Sequence, residues 1–293
     1  MEYSSEELEK IKRDFALTEE EYNTLFERCK WITFYGCTIS DNPTAVFVGG
    51  QTGSGKGGID VYSEKELLKE NINAALIDVD VYRALYPNAE KILNKYPTIY
   101  TDITAKATGK IVKEIIKYAI EQKYSFIFEG TMRNIEAFET MKAMPDYFKK
   151  IVRVMAVPKT ESLLTAFERN DEQINLSGYG RFTNVKTHNA TFDGVLETIK
   201  TIEKENSNII IEIFIRGEDM TTPIRVFSSK DSKEKPSDII SKYRETEKQK
   251  LNKDSTQRLE RLLNNLRPKD IYEEEQLKKL VEEINNNWLQ IGE

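Results

Sequence analysis

The sequence of 293 residues has few of the residue types that several kinds of site require. It contains one histidine, His188, and two cysteines, Cys29 and Cys37. Nothing in it resembles a zinc site, and every mechanism that needs two histidines is excluded. Two cysteines give no disulfide framework, which is typical of a protein from a reducing compartment. We interpret all three residues as structural rather than catalytic.

Long hydrophobic runs and an excess of positive charge are also missing. The sequence shows neither a span apolar enough for a transmembrane helix nor a secretory leader, so we expect a cytoplasmic protein with no membrane partner. Its 43 basic residues are outnumbered by 49 acidic ones, which gives a net charge of −6. Because nucleic-acid binding relies on positive charge, we expect no nucleic-acid partner.

What the sequence does have is a glycine-rich stretch directly after the apolar residues 45–48, which predict a buried strand. Gly50 to Lys56 has the spacing of the phosphate-binding loop, G-x-x-x-x-G-K-[ST]. Glycines let backbone N–H groups converge on phosphate oxygens, while Lys56 and the start of the following helix add positive charge. The residues that we expect to bind a nucleotide are Gly50, Gln51, Thr52, Gly53, Ser54, Gly55, Lys56, Gly57 and Gly58.

One position departs from this loop pattern. The residue after the lysine usually offers magnesium a hydroxyl group, and here it is Gly57. Because Mg²⁺ readily keeps bound water, we expect it to retain an extra water or to use another ligand, and we assign no metal ligand. The alternative is a glycine-rich turn that binds nothing, but the preceding strand, the glycines and the lysine all argue against it.

Strand and helix patterns alternate along the chain, which predicts an α/β fold with a mostly parallel sheet and helices on both faces. Further strands are predicted at residues 74–77, 124–128, 151–157, 210–215 and 224–227, and helices after the loop at 64–71, 101–123 and 161–169. Helix starts at Ser4 and Thr18 predict a helical leader over residues 1–40. We expect a core over residues 41–230 and a charged helical C-terminal extension over 231–293. This extension carries a modest apolar stripe at Leu259, Leu262, Leu263 and Leu266.

Acidic residues follow two of the predicted strands. In an open parallel sheet, ligands lie beyond the carboxyl ends of the strands. Period-two alternation places Asp78 and Asp80 on one side of a strand end, where either could hold magnesium-bound water or accept a proton from a hydroxyl group. The alternative is that Asp80 only caps the next helix. Glu129 could likewise contact metal or substrate, or serve as a cap, and Arg133 follows within reach of the same cleft.

Two arginines come after the fourth strand. Arg169 ends the helix predicted at residues 161–169, and a polar segment over 170–180 leads to Arg181. This pattern favours a lid that closes over a transferring phosphate, because the guanidinium group binds phosphate oxygens in pairs. The alternative is that both arginines form ordinary surface ion pairs.

Taken together, these residues resemble the zeta toxin family of P-loop kinases. The resemblance covers about residues 40–230 and rests on segments that occur in the family's order: residues 42–45, 49–56, 77–80, 129–131 with Arg133, 155–159, 168–169 and Arg181. It implies a P-loop nucleotide kinase-like fold that uses ATP and Mg²⁺. It also implies phosphorylation of a hydroxyl group of UDP-N-acetylglucosamine or a related nucleotide sugar, and an antitoxin protein as a partner.

The resemblance also implies roles for individual residues. Lys56 would hold the β- and γ-phosphates, and Asp80 would be the general base on the substrate hydroxyl, which favours this role over a cap. The remaining positions divide between substrate and phosphate: Glu129 and Thr131 would contact the nucleotide sugar, Arg133 would lie beside the phosphates, and Arg169 and Arg181 would neutralise the transferring phosphoryl group. Positioning and electrostatics would then supply most of the catalysis.

Two departures from the family keep other functions open. The family has an acidic substrate contact in the helix before the third strand, where this chain has Lys113 with Glu114 beside it. The substrate could therefore be another small hydroxylated molecule, such as an antibiotic or a dinucleotide. Gly57 leaves open a module that binds ATP without turnover.

Overall fold

The computed structural model describes residues 3–177, 180, 183–205, 208–217, 222–246, 257–264 and 271–289. Its sheet has six strands in the order β2-β3-β1-β4-β5-β6. They are β1 (Thr44–Gly49), β2 (Ala75–Asp78), β3 (Phe126–Glu129), β4 (Lys149–Met155), β5 (Ile210–Arg216) and β6 (Pro223–Ser228). The first five are parallel to their neighbours, and β6 pairs antiparallel with β5. The predicted mostly parallel sheet is confirmed.

The helices lie on both faces of this sheet. They are α1 (Ser5–Asp14), α2 (Glu19–Phe34), α3 (Lys56–Lys69), α4 (Val79–Ala84), α5 (Ala89–Lys95), α6 (Tyr100–Glu121), α7 (Glu136–Ala143), α8 (Lys159–Ser177), α9 (Val185–Lys204), α10 (Pro236–Thr246), α11 (257–264) and α12 (Ile271–Leu289). Across the described residues, no helix combines the length and the apolarity that crossing a bilayer requires.

Strand β1 shows why the apolar run at residues 45–48 predicts a central strand. Successive side chains of a strand point to opposite faces, and a parallel strand covered on both faces is apolar throughout. Phe47 packs in a core cluster with α6 and α9, whereas Val46 and Val48 pack with Ile59 and Leu67 of α3. The strand that carries the glycine-rich loop is therefore held from both sides.

The N-terminal helices start where the sequence predicts. Ser4 and Thr18 cap α1 and α2, each with a glutamate three residues later that completes a capping box. Helix α2 packs on α6, where the Tyr22 hydroxyl donates to Glu114 Oε2 at 2.8 Å. Cys29 is fully buried in α2, and burial raises the pKa of its thiol to about 11. A neutral buried thiol is unreactive, which supports the structural interpretation of Cys29.

The C-terminal helices α11 and α12 pack on α8 and α9 and share a hydrophobic cluster with them. Leu259 and Leu262 of α11 are buried against α8, as part of the apolar stripe predicted in this region. Leu263 is 39% exposed and lies off that stripe, while the remaining predicted position, Leu266, falls outside the described residues. Arg258 reinforces the contact by pairing with Glu168 of α8. The extension is thus joined to the core by both apolar and charged contacts.

Candidate active site

The glycine-rich loop between β1 and α3 has a backbone that side chains would obstruct. Gly53 and Gly55 have φ angles of +74° and +95°, in the left-handed region that favours glycine. A Cβ at Gly53 would lie 1.9 Å from the carbonyl oxygen of Ser162, so α8 packs directly on the loop. Among the described residues, no side chain caps the N-terminus of α3. The first N–H groups of α3 are thus oriented towards an anion site, which fits the phosphates of a nucleotide.

Lys56 is the first residue of α3 and lies at the carboxyl edge of the sheet. Its Nζ donates to the carbonyl oxygen of Gln51 at 3.3 Å and lies 4.0 Å from Glu129 Oε1. Glu129 ends β3 and is in register with Val48 of β1 and with Asp78 of β2. The structure therefore brings Lys56, Glu129 and Asp78 to one edge, as the order of strands and loops predicts.

The aspartates after β2 are arranged differently from the prediction. Strand β2 ends at Asp78 and α4 begins at Val79, so alternation along a strand does not extend to Asp80. The helix cap is Asp78, whose Oδ1 accepts from the backbone N–H of Asp80 at 2.8 Å. The interpretation of Asp80 as the cap is therefore wrong, as is its placement on the strand. The Asp80 carboxylate instead contacts Arg83, with 2.5 Å between Oδ1 and Nη1.

A further acid, Asp60, belongs to this site and was not predicted. It lies one turn after Lys56 in α3 and is only 6% exposed. Desolvation raises the pKa of its carboxyl group, and a hydrogen bond with Glu129 raises it further, while the Lys56 charge acts in the opposite direction. The sequence does carry a signal for this residue, because Asp60 shares helical spacing with the buried Ser63 and Leu67.

A buried polar network ties the loop to α8 and α9. Gln51 Nε2 donates to the carbonyl oxygen of Val157 at 3.1 Å and to Ser162 Oγ at 3.0 Å. His188 Nε2 lies 3.0 Å from the same hydroxyl group. Burial lowers the pKa of His188 to about 4, so the ring is neutral at pH 7. His188 therefore supports the loop from behind, in agreement with its structural interpretation.

Arg216, at the end of β5, is a second site residue that sequence reasoning missed. Its Nε donates to the carbonyl oxygen of Ser54 at 3.1 Å, and its Nη2 donates to that of Gly53. Its Nη1 reaches α8, with hydrogen bonds to Glu161 Oε1 at 2.7 Å and Thr165 Oγ1 at 3.2 Å. Arg216 is thus a buried clamp between the loop and α8.

We expect Arg216→Lys to raise the KM for ATP by about tenfold, because a lysine cannot donate to both loop carbonyls and to Glu161 at once. Steady-state kinetics with a thermal unfolding curve for each variant measures the effect. Arg225→Lys is the matched control, since Arg225 pairs with Glu212 on the neighbouring strand and does not contact the loop. An unchanged KM for ATP in Arg216→Lys would show that the clamp does not shape the nucleotide site.

Two of the remaining predicted residues, Arg169 and Thr131, lie on segments that contact the same loop. Arg169 lies on α8 one turn after Ala166, whose backbone nitrogen would be 2.9 Å from a Cβ at Gly53. Thr131 accepts a hydrogen bond from the N–H of Gly50 through its carbonyl oxygen at 3.4 Å, and its side chain is exposed, as is that of Arg133. The other predicted arginine, Arg181, lies outside the described residues.

Helix α8 is longer than predicted. Residues 170–177, which were predicted to form a polar loop, continue the helix to Ser177. Gly180 packs back against this helix, since a Cβ there would lie 2.3 Å from the carbonyl oxygen of Asn170. The segment proposed as a lid is therefore largely helical over its described residues.

The parallel sheet with a glycine-rich loop between β1 and α3 defines a P-loop nucleotide-binding fold. The zeta toxin family model matches residues 33–232, so the chain belongs to the zeta toxin family, and the resemblance noted in the sequence is confirmed. Toxin zeta from Streptococcus agalactiae is 31% identical over 134 residues, which are 44% of this chain and 45% of that toxin. The aligned part of this chain thus spans about half the length of that relative.

Two further likenesses cover more of the chain. Toxin PezT from Streptococcus pneumoniae serotype 4 is 23% identical over 79% of this chain and 89% of its own length. A solved structure from the PezAT chromosomal toxin-antitoxin system of Streptococcus pneumoniae has a TM-score of 0.71 and 20% identity, and the match covers 91% of this chain and 98% of that one. At this identity the structural likeness shows the fold, which agrees with the predicted P-loop kinase-like architecture.

Proposed function

We propose that this protein is an ATP-dependent phosphotransferase that phosphorylates a hydroxyl group of a nucleotide sugar, with UDP-N-acetylglucosamine as the first candidate. The observation that carries the proposal is the shared edge of the sheet at which Lys56 and Asp78 lie, with Asp80 two residues after Asp78 in α4. Neighbouring strands are about 4.8 Å apart, so the end of β2 is about 10 Å from the loop after β1. A phosphate held by the loop and a hydroxyl group near Asp80 can meet across that distance.

The proposed mechanism separates phosphate binding from proton transfer. ATP, when bound, would supply the phosphoryl group: the bond from its γ-phosphorus to the bridging oxygen would break as the substrate oxygen bonds to phosphorus, and ADP would leave. Lys56 and the N–H groups of the loop hold its phosphates, and Arg169, carried on the helix clamped to the loop, offsets the charge of the phosphoryl group in transit. Asp80 accepts the proton of the substrate hydroxyl, and Arg83 orients its carboxylate. Arg181 retains the same proposed role as Arg169.

The residues at this edge also fit a magnesium ion. Mg²⁺ prefers oxygen ligands and is held in kinase sites by one or two carboxylates together with phosphates and water. Across the described residues, no three histidine, cysteine, aspartate or glutamate side chains come together as a metal cage. Two carboxylates at the edge, Asp60 and Glu129, offer the oxygen chemistry for a metal shared with the nucleotide.

The sugar side of the proposed site follows β3. Glu129 lies beside Lys56, while the exposed Thr131 and Arg133 come directly after it, where a substrate can reach them. We therefore retain Glu129 and Thr131 as contacts to the nucleotide sugar and Arg133 as a residue beside the phosphates.

The test is consumption of ATP with a panel of nucleotide sugars, followed by mass spectrometry of the products. We expect a singly phosphorylated nucleotide sugar with the wild-type protein and at least about 100-fold less of it with Asp80→Asn at the same concentration. ATP consumption without a phosphorylated product from any of these sugars would contradict the proposed substrate class.

A second substrate class is favoured by one observation. Glu114, the acid beside the position where the family has an acidic substrate contact, is engaged by the Tyr22 hydroxyl and by Lys110 at 3.7 Å. Lys113 itself is exposed. A sugar pocket that depends on an acid here would differ in this chain, so antibiotics and dinucleotides belong in the same product screen. A phosphorylated product from one of these alone would favour the second class.

We also propose an antitoxin partner and a cytoplasmic site of action. The proposal rests on the family and on the PezAT relative, which comes from a toxin-antitoxin system. A short neighbouring gene whose product co-purifies with this protein and suppresses its ATP consumption would support a partner. Co-purification without any effect on ATP consumption would contradict an inhibitory role.

A further inference from the structure

Gly57 lacks the hydroxyl group that a P-loop normally offers to magnesium, and the space beside it is open. A Cβ built at Gly57 meets no atom within 4 Å. The missing ligand is therefore not replaced at this position by a neighbouring side chain packed into its place. Any protein ligand that takes over must come from elsewhere on α3 or from the strand ends.

Asp60 is the residue of α3 that is placed to take over. Residues three apart on a helix share a face, so Asp60 lies on the same side of α3 as Gly57, one turn further on. Its carboxyl group contacts Glu129 at the end of β3, and Lys56 and Asp78 are the other charged groups that act on it. These are the same residues that line the edge where the phosphates are proposed to bind.

One oxygen of the Asp60 side chain lacks a protein partner, which a bound ligand could supply. The residue is more than nine-tenths buried, and its Oδ1 has no hydrogen-bond partner among the described residues. A buried carboxyl oxygen without a partner is costly, and the Glu129 carboxylate that contacts the same carboxyl group adds negative charge beside it. A divalent cation would bind the unpartnered oxygen and would also offset the negative charge of Glu129.

We infer that Asp60 replaces the missing loop hydroxyl and binds the magnesium ion of Mg·ATP, either directly or through one of its waters. This inference rests on the proposed ATP-dependent function. Glu129 completes the arrangement by accepting a hydrogen bond from a metal-bound water. Asp78 is less suited, because its carboxylate is already used to cap α4.

The experiment measures the affinity for ATP with and without Mg²⁺ by isothermal titration calorimetry. In the wild-type protein we expect Mg²⁺ to strengthen ATP binding. Asp60→Asn is expected to reduce that strengthening by about 10- to 100-fold, the range typical of residues that support a metal ligand set. Metal-free ATP binding should stay the same or improve, because the substitution removes a carboxyl group next to Glu129.

A rescue variant makes the test specific. Gly57→Thr restores the usual hydroxyl group in open space, so the double variant with Asp60→Asn should regain most of the magnesium effect. Glu70→Gln is the matched control, because it removes a negative charge from the exposed C-terminal end of the same helix. Asp60→Glu, which keeps the charge, is the second variant if the asparagine protein does not fold.

Three results would overturn the inference. The magnesium effect could survive in Asp60→Asn, ATP binding could fall equally with and without metal, or Gly57→Thr could fail to restore a lost effect. Equal losses would make Asp60 a structural partner of Glu129. If the wild-type protein bound Mg·ATP but phosphorylated nothing, the proposed transfer reaction would fail while the magnesium measurement would still decide the role of Asp60.

Discussion

Asp80→Asn is expected to lower phosphoryl transfer by about 10²–10⁴-fold while ATP binding stays within about twofold of the wild-type value. Asparagine keeps the shape of the side chain but cannot accept the proton of the substrate hydroxyl. Asp80 lies on α4, beyond the end of β2, whereas the proposed phosphate contacts come from the loop after β1. Single-turnover kinetics, together with calorimetry of ATP binding, separates the two effects.

The structure offers a matched control for this substitution. Asp78→Asn changes the residue that caps α4 but leaves the proposed base in place, so its effect should fall mainly on stability, by about 1 kcal/mol or less. Comparable losses of ATP binding and transfer in Asp80→Asn would mean that Asp80 has a structural role and is not the general base. A similar loss of transfer in both variants would shift the chemistry away from Asp80 alone.

Lys56→Ala is expected to lower kcat/KM by about 10²–10³-fold and to weaken ATP binding at the same time. Lys56 begins α3 in the loop, so its ammonium group would contact the outer phosphates both before and during transfer. Its removal also leaves Glu129 without the lysine that lies 4.0 Å away. ATP titrations and initial rates over a range of ATP concentrations measure both effects.

Lys65→Ala is the control for Lys56, because Lys65 is an exposed lysine on the same helix. It should change neither ATP binding nor transfer. Normal ATP affinity in Lys56→Ala would contradict the phosphate cradle, whatever happened to the rate. A loss of transfer with normal affinity would instead restrict Lys56 to the transition state.

The fold could be predicted from the sequence because its central strands are buried on both faces. Such strands appear as continuous apolar runs, so residues 45–48 identify β1 and the glycine-rich loop follows directly. The start of α3 could not be predicted in the same way. Gly57 and Gly58 have low helix propensity, so the sequence predicts a helix only from Glu64. In the structure α3 begins about two turns earlier, at Lys56.

The predicted end of α8 was also wrong because local sequence was a poor guide. The polar residues 170–177 have no apolar periodicity that would predict a continuing helix, yet the helix continues to Ser177. The predicted start at Glu161 lies two residues after the observed start at Lys159. The sequence therefore predicts where this helix begins better than where it ends.

The site was predictable where chemistry follows a strand or a known loop, and not where it depends on distant contacts. Lys56 and Glu129 could be placed because parallel strands end at one edge. Arg216 contacts loop carbonyls that are more than 160 positions away in the chain, and no local pattern predicts such a contact. Helical periodicity could have predicted that Asp60 is buried, but only if the predicted helix had started at Lys56, where α3 begins.

The hydrophobic cluster between α8 and the C-terminal helices has a consequence for recombinant work. The family match ends at residue 232, yet Leu163 and Phe167 of α8 are buried against Leu259 and Leu280, which lie beyond it. A protein truncated at residue 232 would expose a hydrophobic surface on α8, the helix that carries Arg169. Low solubility of the truncated protein would then be caused by this exposed surface rather than by toxicity to the host cell.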